Sequence, residues 1–530
     1  MAAVALAASP QARKLRVGLF ADAPLQPRWV VDAFAKAAAD GCAEIVLIAC
    51  ADAAPRAVPW WWKLYGALDR KAFGARTDPG AGLELARHVP HQRSGALGAD
   101  PRELLGLDLD VAFALGEIDD RVLDGVARLG VWRFQVDGMA EVAAGEPLSG
   151  AGLKVRLAAG DTPRLAYQSW SRTFAFSVAR NRDQLFAKTA EFATRALREA
   201  QRSGRGWLEQ CPPVAERTEA GGTPPAQPCN PSPILGRIAR RALQNALHVE
   251  QWFLAFRFAG GDARAGQAEL RADLQGFTRL MPPKDRFWAD PFALEKNGRY
   301  FIFFEDLPFA AGKAHIAVTE VRRDGTWSPP VPVLERDYHL SYPFLLEHEG
   351  QLYMIPETAQ NGTVEIYRCV DFPLRWKLEK TLLQGVRLVD ATLHRGAERW
   401  WMFANGAAGA SRGFDDELHL FHAERLFGEW QAHPRNPVKS DVRCARPAGN
   451  LYWRDGKLYR PAQICVPRYG AGLSINRVLR LTPHAYAERQ VERVLPDAAQ
   501  GLLGLHTVNR AGDLTVADAF TRRRRIGGAP

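Results

Sequence analysis

From Gln251 onward the chain repeats itself, and that repetition restricts its fold more than any other feature. Four stretches can be laid over one another: FWADPFALEKNGRYFIFFED, LSYPFLLEHEGQLYMIPET, LVDATLHRGAERWWMFAN and CARPAGNLYWRDGKLYRPAQ, with a weaker fifth copy, GLHTVNRAGDLTVADAF. Each reads as strand, tight turn, strand. The equivalent positions Asp290, Tyr342, Asp390, Arg446 and His506 are separated by 52, 48, 56 and 60 residues. That is the period of a four-stranded blade with its loops, and five copies predict an all-β five-bladed propeller. The segment QWFLAFRF, Gln251 to Phe258, precedes the first copy and is expected to lend a strand to the last blade, closing the ring.

The innermost strands of a propeller converge on its axis, so residues at one register of those strands form a ring. Asp290, Tyr342, Asp390, Arg446 and His506 are that expected ring. Asp290, Tyr342 and Arg446 precede a proline, which predicts extended backbone there. A second polar column follows fifteen residues on in three copies, at Glu305, Glu357 and Asn405, and at Gln463 in the longer fourth hairpin. Columns of this kind could merely begin strands and close surface hairpins. Five chemically different polar residues at one register are, however, not needed to build a blade. Two or more carboxyls beside an Arg and a His suit cleavage or transfer of a glycosyl unit, in which one carboxyl protonates the leaving oxygen and another acts as base or nucleophile. Trp288, Tyr342 and Tyr469, with Trp400 and Trp401, are aromatic candidates for stacking on sugar rings, or else core.

The N-terminal half has a different rhythm. Apolar strands LRVGLFAD from Leu15, EIVLIACAD at Glu44 to Asp52, DVAFALG at Asp110 to Gly116 and GVWRFQ from Gly130 alternate with helical stretches, which predicts an open α/β sheet, Rossmann-like in its winding. The first turn lacks GxGxxG, so nothing points to a dinucleotide. The expected organisation is a flexible start over 1–14, the α/β domain over 15–202, a Pro/Gly-rich linker over 203–233, a basic connecting helix over 234–250, the propeller over 251–521 and a basic tail over 522–530.

Composition narrows the function classes. With 69 Lys and Arg against 59 Asp and Glu the net charge is +10, but the only dense basic run is Arg522 to Arg525, so a solvated basic surface is expected rather than a nucleic-acid site. The seven cysteines include no CxxC pair and no His at zinc spacing, which predicts a reduced, cytoplasmic protein without metal. No stretch is long and apolar enough for a membrane span, leaving peripheral membrane association open.

The run from Phe287 to Glu488, above all WADPF, SYPFLLE, LVDATL, RPAGN and GKLYRPAQ followed by RYG, resembles the propeller domain of plant glucosamine inositolphosphorylceramide transferases and their bacterial relatives. More distantly it is similar to five-bladed glycoside hydrolases such as arabinanases and invertases. The second resemblance implies that Asp290, in its Asp-Pro motif, is base or nucleophile. Position makes Glu357 and Asp390 candidates, Glu357 for general acid and Asp390 for tuning and orienting. Trp288, Glu305, Tyr342, Asn405, Arg446, Gln463, Tyr469 and His506 would bind substrate. In the plant proteins the transferase chemistry is implied to belong to a separate domain. The expected ligands are a glycan, a glycolipid or a nucleotide-sugar.

Leu15 to Arg202 resembles the formyltransferase fold of methionyl-tRNA and sugar formyltransferases. That family's Asn-x-His pair would fall on Arg133 and Gln135, and its Asp on Asp161, so the resemblance implies a degenerate site. No cofactor is expected, a folate derivative entering only if this domain is active. Three readings follow: a carbohydrate-active propeller, a non-catalytic glycan-binding scaffold, and a sugar N-formyltransferase with an altered centre.

Overall fold

A computed structural model of the chain describes residues 13–51, 59–97, 106–214, 231–259, 274–407 and 413–525. Two compact units emerge, dividing near residue 240.

The first is a mixed α/β sheet of seven strands: β1 (Leu15–Ala21), β2 (Ala43–Cys50), β3 (Arg93–Ala96), β4 (Val111–Leu115), β5 (Val131–Val136), β6 (Leu148–Arg156) and β7 (Arg164–Arg172), in spatial order 3-2-1-4-5-6-7. The first five are mutually parallel, whereas β6 runs antiparallel to both β5 and β7. β1 and β4 are apolar almost throughout because both their faces are covered, as parallel strands require. On one face α1 (Arg28–Ala39) and α3 (Val178–Gln210) pack Trp29, Phe34, Phe186 and Phe192 onto Phe113 and Trp132. Ser177 caps α3 by accepting from the Arg180 N–H. The Trp-rich segment forms α2 (Trp60–Phe73), and the connecting helix is α4 (Ser232–Leu247).

Two expected boundaries change. α3 does not stop at Arg202: it breaks at Gly204, which takes a left-handed φ of 58°, and resumes to Gln210 because Leu208 still has core to enter. The chain stays on this unit to Val214, whose N–H donates to the Pro163 carbonyl, so the linker start at 203 is too early. Most of the expected linker, residues 215–230, lies outside the described residues, as do 1–12 and 526–530.

The second unit is a five-bladed β-propeller. Four blades are consecutive antiparallel sheets starting at Arg286–Lys296, Ser341–His348, Leu388–Arg395 and Tyr452–Arg454. The fifth is composite: Val508–Ala511 and Leu514–Arg524 come from the end of the chain, His248–Phe258 and Thr278–Leu280 from before the first blade. The ring is closed by this pairing, as the early strand QWFLAFRF suggested. Second strands such as Tyr300–Phe304 and Trp400–Asn405 are buried on both faces, since each blade is sandwiched between neighbours. The expected basic tail is a correction: Arg522, Arg523 and Arg524 sit in the closing strand opposite Glu250, Val249 and His248, and Arg522 donates to Glu250 at 2.8 Å. A paired strand with a carboxylate opposite is a better state for those arginines than a free end.

Candidate functional site

The first three repeat positions share one backbone device. Asp290, Tyr342 and Asp390 have φ of 53°, 46° and 54°, and at each the innermost hairpin slips register, between Ala289 and Phe292, Ser341 and Phe344, and Val389 and Thr392. These are β-bulges whose left-handed residue is not glycine, a conformation that costs roughly 1–3 kcal/mol and has to be held by its surroundings. The extended backbone expected of Asp290 and Tyr342 is therefore wrong. Asp390 is followed by Ala391 yet adopts the same conformation, so the bulge and not the proline sets it.

The bulge aims these side chains at the axis. Asp290 is buried; the Thr507 hydroxyl donates to its Oδ1 at 2.7 Å and His506 Nε2 lies 3.6 Å from the same atom. Asp518, fully buried, holds this corner together. It accepts the backbone N–H groups of Asp290, His506 and Thr507 at 2.9–3.0 Å and sits 2.5 Å from His506 Nδ1. The His506 ring stacks on Trp252 at 4.0 Å and meets the edge of Tyr469 at 5.2 Å. Asp390 has its carboxylate filled: Arg446 Nε and Nη2 donate at 2.6 and 3.3 Å, and Gln463 Nε2 at 3.0 Å. The Arg446 guanidinium lies over the Tyr469 ring at 4.8 Å.

Electrostatics sort the carboxyls. Burial raises Asp290 to about 6, with the His506 charge pulling the other way. Glu357 is raised to about 7 by burial and then by the Asp390 charge, against Arg446 and the Ser341 hydroxyl that donates to its Oε2 at 3.0 Å. Burial, followed by the charges of Asp290, Glu357 and Asp390, pushes Glu305 well above the usual carboxylate range. Burial disfavours the His506 cation, but Asp518 and Asp290 outweigh it and raise its pKa. The buried floor is thus Asp290, Glu305, Asp390 and His506, while Glu357, Arg446 and Tyr469 are partly open to solvent. Asp290, His506 and Asp518 bring ligand-type atoms within 4.8 Å of one another, but Asp518 is already saturated by N–H donors.

Not every expected residue belongs here. Trp288 packs on Phe304 and Trp327 and lines a separate cleft of about 740 Å³ with Pro282, Arg286, Asp306 and His315, because it sits on the opposite face of its strand from Glu305's neighbourhood. Tyr342 is a brace: its hydroxyl accepts the Gly449 N–H at 2.7 Å and pairs with Thr392 at 2.8 Å. Asn405 is fully buried, donating to the Phe414 carbonyl, with its Oδ1 unpartnered. Trp400 and Trp401 are core. The residues missed were Asp518, Thr507, Trp252 and Ser341. Asp518 had a signal: it stands in the second polar column of the fifth copy, 12 rather than 15 residues after the ring position.

In the N-terminal unit the three formyltransferase positions do not meet. Arg133 and Gln135 lie on β5, where the Arg133 guanidinium donates to the Gly116 and Ile118 carbonyls. Asp161 is exposed in the β6–β7 loop. Since Val131 pairs with Arg156 and Gln135 with Gly152, that loop is at the end of the sheet where β5 begins, away from Gln135.

Fold and site together define a five-bladed propeller with a buried cluster of acids, Asp290, Glu305 and Asp390, beside the partly open Glu357. Residues 280–516 match the family model described as Glucosamine inositolphosphorylceramide transferase 1, N-terminal. Among curated proteins, Glucosamine inositolphosphorylceramide transferase 1 of Arabidopsis thaliana is 31% identical over 218 residues, 41% of this chain and 28% of that one. The protein of the same name from Oryza sativa subsp. japonica is 33% identical over 218 residues, 41% and 29% of the two chains. The matched region therefore spans less than a third of those relatives. Among solved structures, the catalytic domain of a Coprinopsis cinerea alpha-L-arabinofuranosidase overlaps 52% of this chain and 99% of its own, with 12% identity and a TM-score of 0.35. An exo-1,5-alpha-L-arabinanase from a bovine ruminal metagenomic library covers 45% and 94%, with 13% identity and a TM-score of 0.32. The propeller assignment rests on the strand order and not on these overlaps.

Proposed function

We propose that the propeller is a carbohydrate-active domain that binds a glycan or glycolipid at this cluster of acids and cleaves or transfers a glycosyl unit. The observation that carries this reading is the split between two carboxyls: Glu357, partly open and raised to about 7, suits a general acid, and Asp290, raised only to about 6 and braced by Thr507 and His506, suits the base or nucleophile. Asp390 fits the tuning and orienting role expected of it. With three donors on its carboxylate it orients Arg446 and raises Glu357. The names of the similar plant proteins support a glycosylated inositolphosphoryl lipid as the substrate class.

The test is a panel of nucleotide-sugars, aryl glycosides and inositolphosphoryl lipids, with products followed by mass spectrometry. Asp290→Asn and Glu357→Gln are expected to lose at least about 10²-fold in turnover while still binding. Binding without turnover in the wild type would instead establish the scaffold reading, which the saturated Asp390–Arg446 pair favours.

For the N-terminal unit, a formyltransferase-like fold with a lost site remains a proposal from the sequence resemblance alone, since a mixed α/β sheet does not by itself identify that fold. The separation of Arg133 and Gln135 from Asp161 speaks against an active sugar N-formyltransferase, and no folate binding is expected.

A further inference from the structure

The N-terminal unit carries an apolar surface that none of this chemistry uses. Up to residue 239, seven large apolar side chains are exposed among the described residues, and five of them lie on two helices: Trp60, Leu64, Leu68 and Phe73 on α2 and Leu235 on α4. Trp60, Leu64 and Leu68 follow one another at i, i+4 and i+8 and are 75%, 54% and 60% exposed, a continuous stripe along one face of α2.

That stripe faces outward because the other side of α2 is occupied. Trp62 and Tyr65 pack with Ile234 and Ile238 of α4 around Val142 and Val178, so the two helices lie together. Asp69, buried, accepts the Ala179 N–H at 2.8 Å, and Arg70 is paired with Asp78 and Asp183. On α4, Arg237 donates to the Ala175 carbonyl at 2.7 Å and to that of Val142. The helices are fixed by their inner faces, and the leucines and Trp60 are presented as a built surface rather than as a frayed one.

The charges indicate what covers it. Lys63 and Lys71 stand exposed beside the stripe, while Arg70 and Arg237 are engaged in the ion pairs and carbonyl contacts just described. The single carboxylate on either helix is the buried Asp69. A second copy of the chain would have to set this positive face against itself in a two-fold contact, which like charges oppose. An anionic bilayer meets both requirements: the hydrocarbon boundary takes Trp60, Leu64 and Leu68, and the headgroups take the cations. Trp at the end of such a stripe suits the interfacial region.

We propose that α2 and the adjoining part of α4 form a peripheral docking surface for an anionic lipid bilayer, lying in the plane of the interface. The proposal is independent of the chemistry assigned to the propeller.

The full chain is sedimented with phosphatidylcholine vesicles with and without phosphatidylserine. Wild type is expected to pellet with the anionic vesicles only, and less as salt is raised. Leu64→Glu/Leu68→Glu is expected to reduce the bound fraction at least about tenfold. Lys63→Glu/Lys71→Glu is expected to weaken binding while leaving the apolar stripe intact. All four positions are exposed, and melting curves of the variants check that the fold survives. No pelleting of wild type, or equal pelleting of Leu64→Glu/Leu68→Glu, overturns the proposal. So does a concentration-dependent dimer in light scattering that the leucine variant abolishes, since it would assign the face to a second copy.

Discussion

At Asp290 the protein has placed a carboxyl where it is hard to keep. It is buried, its backbone is left-handed, and two further acids raise its pKa. What makes the position tenable is the Asp518–His506–Thr507 corner. Asp518 is thus a positioning residue: Asp518→Asn removes a charge facing the His506 ring, so we expect the His506 pKa to fall, which NMR titration of the ring reads directly. Where turnover is measurable, its pH profile should have an acid limb near 6 from Asp290 and an alkaline limb near 7 from Glu357, the two belonging to a coupled set. Glu357→Gln is expected to abolish the alkaline limb. Tyr342→Phe leaves the Gly449 N–H without its acceptor, and denaturant unfolding should show a loss of about 1–3 kcal/mol.

The blades differ in what holds them. Most are apolar sandwiches, but the fourth buries an ionic core, where Arg460, fully buried, donates to Glu488 at 2.8–2.9 Å and to the Cys444 and Ala445 carbonyls. Lys439 and the Tyr486 hydroxyl converge on the same carboxylate. Replacing Glu488 by Ala strands a buried guanidinium and is expected to cost about 3–5 kcal/mol, measurable by chemical unfolding. Elements were the most legible level of the sequence, because strand, glycine turn and strand recur with fixed polar positions, and WADPF or SYPF can be aligned by eye. What could not be read was the bulge. Proline after Asp290 and Tyr342 suggested extended backbone, while the true cause was register slip against the second strand, which no local pattern records. Trp288 was misplaced for a related reason, since one register step sends a side chain to the other face. Gln135 and Asp161 fall at opposite ends of the β5–β6 pair, which the antiparallel register sets and the linear motif does not show. Asp518 was overlooked because the last hairpin is shorter than the others.

For the molecule as a whole, the buried acids make stability depend on pH. Glu305 and Glu357 have raised pKa values in the folded state, so the unfolded chain ionises first as pH increases. Their contribution is therefore unaffected below about pH 4 and declines through the folded values, near 7 for Glu357. Glu305→Gln/Glu357→Gln is accordingly expected to raise the melting temperature at pH 7.5, by on the order of 1–3 kcal/mol in stability, and to make no difference at pH 4. Among the described residues no helix is long and apolar enough to cross a membrane.

The composite fifth blade has a consequence for how the protein is made. A ribosome that has finished the first three blades has already released Asp290, Tyr342 and Asp390, yet the partners that hold Asp290 in place, Thr507 and Asp518, lie 217 and 228 residues further on. A chain cut or stalled before Thr507 forfeits ring closure and the corner that holds Asp290 in the same stroke. Ring closure and the bracing of Asp290 therefore arrive together, an inspection step written into the order of synthesis.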